Sequence, residues 1–280
     1  NAYVSQEDYN AAIYSLYDQT RQNLSDGSMP VYVYLYGTDI GYNGATDLNN
    51  RFGSYPASLT VVSTYALNPW SGYYKIVSSA NIILNRLQTS QMTDDQKRQV
   101  EASARLFRGL CYRNLAHLYG GVPIELEEVS KPRTDYVRAS RNEVYEQAAA
   151  DLEFAAANLP DIDKVRDGEV SGAAANHLLA ETYVALGRWA DAIEVSSKVI
   201  NNPNLALMTG RFGSLAGEPG DVYWDLFRRY NQNRSAGNTE GIWVFQYEVD
   251  VLGGVTRSAA LEGPQLEREH APRPYVFAYK

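Results

Sequence analysis

The chain has 280 residues, 45% hydrophobic and 21% charged, with a formal net charge of −8. That length suits one large or two small globular domains with a substantial core, and the acidic balance excludes a general polyanion binder. A single cysteine, Cys111, excludes an intrachain disulfide framework or a cysteine-rich metal site, and no apolar run approaches the ~18–20 residues of a membrane-spanning helix.

Tyrosine is abundant: 22 Tyr with 7 Phe and 4 Trp bring the aromatics to 12%, and most of the 25 basic residues are arginine. Tyr, Asn and Arg together suit polar recognition surfaces, where flat faces and hydrogen bonds are needed side by side. A tyrosine-rich helical core is the alternative. The chain starts at Asn1 with no initiator Met, basic region or apolar leader, and so reads as processed or trimmed.

In chain order, Ser5-Gln6-Glu7-Asp8 has the spacing of an N-terminal capping sequence, and Tyr9, Ile13, Leu16 and Tyr17 form a helical stripe ended by Ser25-Asp26-Gly27 and Pro30. Val31 to Tyr36 reads as a short strand or an apolar helical turn. The stretch to Pro69 is rich in Gly, Asn, Asp and Ser, too long and too aromatic for a structureless linker, so residues 31–69 read as an ordered, functional loop region. A second helix is expected from Trp70 to Leu87, with Trp70, Tyr73, Val77, Ala80, Leu84 and Leu87 on one face. Thr93-Asp94-Asp95-Gln96 opens a third, whose stripe is Val100, Ala104, Phe107, Cys111, Leu115 and Leu118 and which stops at Gly120-Gly121 and Pro123. Cys111 on that face is expected to be an inert buried thiol.

Ser140 to Glu143 is another capping box, followed by Tyr145, Ala148, Leu152, Ala155 and Leu159 at helical spacing and Pro160. Two more helices are expected over about Ala173–Leu186 and Trp189–Ile200, separated by Gly187, the second burying Ala192, Ile193, Ser196, Val199 and Ile200. Leu179-Ala180-x-x-Tyr183, Gly187, Trp189, Ala192-x-x-x-Ser196 and Pro203 follow a tetratricopeptide-like pattern, with weaker copies before it, so residues 94–203 are read as helical repeats. Trp189 takes a repeat packing position and is expected in the core, as are Trp224 and Trp243. Tyr223 to Phe227 is amphipathic and Ile242 to Tyr247 reads as a strand.

Chemistry-bearing motifs are absent from the sequence. The histidines are His117, His177 and His270, far apart, and neither a phosphate loop nor Gly-x-Ser-x-Gly occurs. Asp161-x-Asp163-x-x-x-Asp167-Gly168 has the wrong spacing for a calcium loop. Glu125, Glu127 and Glu128 read as a solvated acidic turn. No cofactor, metal or catalytic residue is expected.

Several segments, in order over about residues 1–250, resemble the SusD/RagB family of Bacteroidota nutrient-binding lipoproteins. They are Asn1-Ala2-Tyr3 before the first helix, Gly37-Thr38-Asp39, Trp70 to Ile76 with Ala80-Asn81-Ile82-Ile83-Leu84, Ala104 to Arg108 with Tyr112 and Tyr119-Gly120-Gly121-Val122-Pro123, Arg141 to Tyr145 with Asp151-Leu152, and Glu240-Gly241-Ile242-Trp243. The resemblance implies a mainly α fold, a tetratricopeptide-like helical-hairpin superhelix with long irregular loops and a few short strands, as a single SusD-like domain over 1–280, truncated at its C-terminus. It implies a binding protein rather than an enzyme, lipid-anchored at the cell surface in the outer membrane through a cysteine not present in this chain. Its partners would be an oligosaccharide or peptide cargo and a SusC-type TonB-dependent transporter, with no nucleic acid. Candidate ligand contacts are Asp39, Tyr42, Asn43, Asp47, Tyr55 and Trp70, because aromatic faces cover the C–H faces of sugars and Asp or Asn pairs with hydroxyls. Trp70 also lies on its helix's apolar stripe, so core packing stays open for it. A protein-binding repeat scaffold without small-molecule cargo is the other reading.

Overall fold

The computed structural model describes residues 3–25, 60 and 63–246. The chain divides into two compact units, Asn1–Leu16 with Val77–Gln246, and Tyr17–Ile76 with Tyr247–Lys280. Among the described residues the regular structure is helical, as expected: α1 (Gln6–Ser25), α2 (Thr64–Leu87), α3 (Asp94–Tyr119), α4 (Arg141–Asn158), α5 (Gly172–Leu186), α6 (Trp189–Ile200), the short α7 (Val222–Leu226), and single 3-10 turns at Ile162–Lys164 and Arg234–Ala236.

The capping sequences fix the starts. At α1 the Asp8 amide donates to the Ser5 hydroxyl (3.3 Å), while the Asp8 carboxylate accepts from the backbone of Ser5 (2.9 Å) and Val4 (3.0 Å). Those backbone donors hold the Asp8 carboxyl below its ordinary range. Thr93 with Gln96 and Ser140 with Glu143 form reciprocal boxes at α3 and α4, each satisfying donors that the first helical turn otherwise leaves unpaired. Gly187, at φ 73°, closes α5 in the left-handed conformation and lets α6 begin after a single intervening Arg188.

In the first unit α3 packs on α4, α4 on α5 and α5 on α6. Small residues allow the close approach. A Cβ on Gly109 of α3 would fall 2.9 Å from Leu152 Cγ and 3.1 Å from the Ala148 carbonyl of α4, and Ala148, Ala155 and Ala175 are fully buried. Leu106, Phe107, Tyr112 and Leu115 of α3 and Tyr145 and Leu152 of α4 fill the core around them, each worth ~1.5–3 kcal/mol of apolar burial. Cys111 lies inside this core, and burial pushes its thiol well up, so it is unreactive in the folded chain.

Several expectations change. The second helix starts at Thr64 rather than Trp70 and runs through Pro69, so the loop region read as extending to residue 69 ends earlier. Pro69 sits in the second turn, where it gives up only the bond to the carbonyl four residues back. The strand read at Ile242–Tyr247 does not form over 242–246. Instead Trp243 donates Nε1–H to the Gly168 carbonyl (3.0 Å) and packs edge-on against Phe107, ring centroids 6.0 Å apart. Trp189 is 62% exposed, and Ile193 and Ile200 are exposed with it. α6 ends the packed series, so only its Ala192–Val195 side is buried, against α5.

Candidate functional site

Residues drawn from separate motifs meet in a buried polar hub of the first unit. Arg108 on α3 donates to both carboxylate oxygens of Asp151 on α4 (2.7 and 2.8 Å) and to Asn81 Oδ1 on α2 (2.8 Å). The Asn81 amide donates in turn to the Glu125 carbonyl (2.9 Å), and Tyr112 OH donates to the same carbonyl (2.6 Å). Asp151 is fully buried, and Arg105 approaches it at 3.5 Å. The hub ties α2, α3 and α4 to the segment after α3. It has no open face for a ligand; its work is structural.

The turn after α3 is held as tightly. Gly121 has no room for a side chain, since a Cβ there would collide with the Ala139 carbonyl. Ala139 N–H donates to Val122 (3.1 Å), and Arg138 donates to the Tyr119 carbonyl (3.0 Å). Glu128 is paired bidentately with Arg86 (2.7 and 3.2 Å), which holds its carboxyl below the ordinary range, and Glu125 pairs with Arg133 (2.9 Å). The acidic turn is thus largely ion-paired rather than simply solvated.

Three places remain where the described chain meets solvent with recognition chemistry. In the second unit Trp70 is half-buried and tilted against Tyr74, ring centroids 4.9 Å apart. Asp39, Tyr42, Asn43, Asp47 and Tyr55 lie outside the described residues, so Trp70 is the predicted contact residue whose setting is defined. In the first unit, α4, α5 and α6 enclose a cleft of about 250 Å³ floored by Ala156, Leu179 and Val195. Its wall is an ion-pair network: Tyr183 OH donates to Glu153 (2.6 Å), Arg188 lies 4.2 Å over the Tyr183 ring, and Arg188 pairs with Asp191 (2.7 Å). Burial and then the Glu153 contact raise the Tyr183 phenol well above its ordinary value, so it is a donor and not an acid at neutral pH.

The third place is α7 and the turn after it, where the sequence reading is reversed. Trp224, expected in the core, is 51% exposed, and Tyr223, Phe227 and Tyr230 are exposed around it. Asp225, the polar residue among them, is the one that is fully buried. Arg211 donates to both Asp225 oxygens (2.5 and 3.2 Å) and also to the carbonyls of Leu215, Glu218 and Gly220. The amide of Phe212 adds a further donor to Asp225 (3.2 Å). Arg211 first, opposed by burial, holds the Asp225 carboxyl below its ordinary range. With the short helix anchored through its polar residue, its rings are turned outward. Tyr223 and Phe227 pair at 5.0 Å, the Arg228 guanidinium lies 3.8 Å over Trp224, and that of Arg229 lies 4.7 Å over Tyr230. A Cβ on Gly220 would be 2.5 Å from Trp224 Cε3, so glycine lets the indole lie against the backbone. Periodicity could not find this surface, because in a five-residue helix one buried carboxylate decides which side faces in.

Packed helical hairpins capped by polar boxes and joined at glycine turns define a tetratricopeptide-like scaffold. A family profile of SusD-like proteins, described as starch-binding and associating with the outer membrane, matches residues 8–184, and the chain belongs to this family. A SusD-like protein of Bacteroides ovatus is 27% identical over 86% of this chain and 44% of its own length. A SusD-like carbohydrate binding protein of Bacteroides fragilis shares the fold at a TM-score of 0.66 and 20% identity, over 87% of this chain and 47% of that one. A laminarin-binding SusD-like protein does so at 0.63 and 24%, over 75% and 48%. The chain spans less than half the length of each of these relatives.

Proposed function

We propose that this chain captures glycans at the outer membrane and delivers oligosaccharides to a SusC-type TonB-dependent transporter, without catalysing any step on its cargo. Family membership over residues 8–184 is the observation that carries this reading, since the family is described as starch-binding and outer-membrane-associated. The laminarin-binding relative of the same fold supports a glucan as cargo class. In this reading residues 1–280 form a single SusD-like domain, held at the cell surface by a lipid on a cysteine outside this chain. The helices are the scaffold, and Asp39, Tyr42, Asn43, Asp47, Tyr55 and Trp70 supply ligand contacts from the region between α1 and α2 and from α2 itself.

The physical logic is that of sugar recognition in general. An aromatic face covers the apolar face of a pyranose ring, and polar side chains meet the hydroxyl rim, where a buried unpaired group would cost ~1–3 kcal/mol. Affinity electrophoresis through gels containing starch, laminarin or xyloglucan tests it. Retardation in at least one gel is expected, with no new reducing ends after incubation. Free migration in all of them, or release of reducing ends, contradicts the reading. Copurification of the native protein with a β-barrel from solubilised membranes is expected for the transporter partnership, and recovery without one would count against that part.

A further inference from the structure

We infer that the cleft between α4, α5 and α6 is a docking site for a lysine side chain presented by a partner polypeptide, the floor taking the aliphatic stem and the rim the ammonium. This site belongs to the helical scaffold and does not depend on the glycan-capture reading. Its shape fits one long side chain. The cleft holds about 250 Å³, below the ~300–1,000 Å³ of sites that enclose a whole small molecule. Ala156, Leu179 and Val195 make the floor apolar, while Glu153, Arg188, Asp191, Glu194 and Lys198 stand around it. An apolar slot under a charged rim matches a side chain with a hydrocarbon stem and an ionised end.

Charge decides the sign of the occupant. The four carboxylates of Glu146, Glu153, Asp191 and Glu194 lie within ion-pair distance of only two cations, Arg188 and Lys198. Arg188 is matched by Asp191 (2.7 Å) and Lys198 by Glu194 (2.9 Å). Glu153 instead meets the neutral Tyr183 hydroxyl (2.6 Å), with Arg188 no nearer than 3.9 Å. The surplus is therefore negative, and it sits on the cleft wall. The groups left for an occupant are also acceptors. Asp191 gives Oδ2 to Arg188, Glu194 gives Oε1 to Lys198 and Glu153 gives Oε1 to Tyr183, so the second oxygen of each has no donor among the described residues. Asn176 spends its amide on the Gly172 carbonyl (2.8 Å), which leaves its side-chain oxygen. Acceptors offered singly suit an ammonium, whose three N–H groups turn to separate oxygens; a guanidinium fork asks for both oxygens of one carboxylate.

Methyl NMR on the full 280-residue chain tests this, with Leu179 and Val195 as reporters on the cleft floor. The probes are capped glycine pentapeptides with lysine, arginine, norleucine or glutamate at the centre, and free cadaverine. The lysine peptide is expected to shift both reporters saturably at millimolar concentration, more weakly as salt is raised. The norleucine and glutamate peptides are expected to bind weaker by about fivefold or more. Glu153→Gln/Glu194→Gln removes two charges from side chains that are 47% and 69% exposed, so the fold persists; it is expected to weaken the lysine peptide by about fivefold. Asp95→Asn/Asp135→Asn removes two charges away from the cleft and is expected to leave binding within about twofold. Equal binding of the lysine and norleucine peptides, an unaffected Glu153→Gln/Glu194→Gln variant, or no shift at Leu179 and Val195 overturns the inference. Tighter binding of the arginine peptide overturns the lysine assignment, and tighter binding of cadaverine overturns the polypeptide one. Retardation in polysaccharide gels is measured separately, so glycan capture stands or falls on its own.

Discussion

Single residues in this protein divide sharply between those that hold the scaffold and those that face solvent. Arg108 and Asp151 are of the first kind: their side chains are 6% and 0% exposed and are joined by paired hydrogen bonds. Removing one partner leaves the other charge buried and unpaired, which costs ~3–5 kcal/mol. Asp151→Leu or Arg108→Leu is therefore expected to lower the urea midpoint strongly, and the double variant Arg108→Leu/Asp151→Leu to be less unstable than the sum of the single effects; additive losses would contradict the pairing. Asp225 makes a pH prediction. Arg211 depresses its folded-state pKa, so its contribution is complete above the ordinary carboxylate value of about 3.9 and is lost as pH falls through the lower folded value. Thermal melts from about pH 6 down to about pH 2 should show a steeper acid decline for the wild type than for Asp225→Asn, which is already less stable at neutral pH. Parallel declines would mean that Asp225 is not clamped. Trp224 shows why the exposed site was harder to read than the core. A tryptophan in an amphipathic run suggests burial, but the run contains Asp225, and a buried carboxylate with an arginine partner from 14 residues away reverses the helix. That partner leaves no periodic trace.

The elements were far more legible. The capping boxes at Ser5, Thr93 and Ser140, the glycine turn at Gly187, and the stripes of α3 and α4 are local signals, and local signals survive tertiary packing. Misreadings fall where a strong local signal is overruled, by the tolerance of an early helical turn for proline or by the absence of a packing partner among the described residues. α2 extends through Pro69 because proline in an early turn forfeits little, and α6 shows solvent a face that its pattern would bury, because no further described helix packs on it. Both kinds of signal can be measured. Ser140→Ala removes the cap of α4 and is expected to cost ~0.5–2 kcal/mol. Gly109→Ala places a methyl group 2.9 Å from Leu152, and overpacking at a helix crossing costs ~1–3 kcal/mol. Chemical denaturation of the two variants should show losses of that order, and an unchanged midpoint for Gly109→Ala would mean that α3 and α4 are not so closely apposed.

For the whole molecule, the sequence carries a net charge of −8 and an arginine-rich basic complement, and the described residues form a helical scaffold. Among the described residues no helix is long and apolar enough to cross a membrane. The motifs that signalled the family in the sequence, around Asn81, Arg108, Gly121 and Asp151, prove to be the hub and the turn that hold the scaffold. They made the fold legible while saying little about cargo, because residues that fix a fold and residues that touch a ligand answer to different constraints. On the proposed glycan-capture role the cargo must also be released, so moderate affinity is expected, with Kd in the micromolar to millimolar range, or ~4–8 kcal/mol. Isothermal titration of the chain with oligosaccharides of starch, laminarin and xyloglucan is the most direct measurement of the central claim. Saturable heat with at least one of them in that range is the predicted result; flat titrations with all three, from a chain shown to be folded, would contradict it.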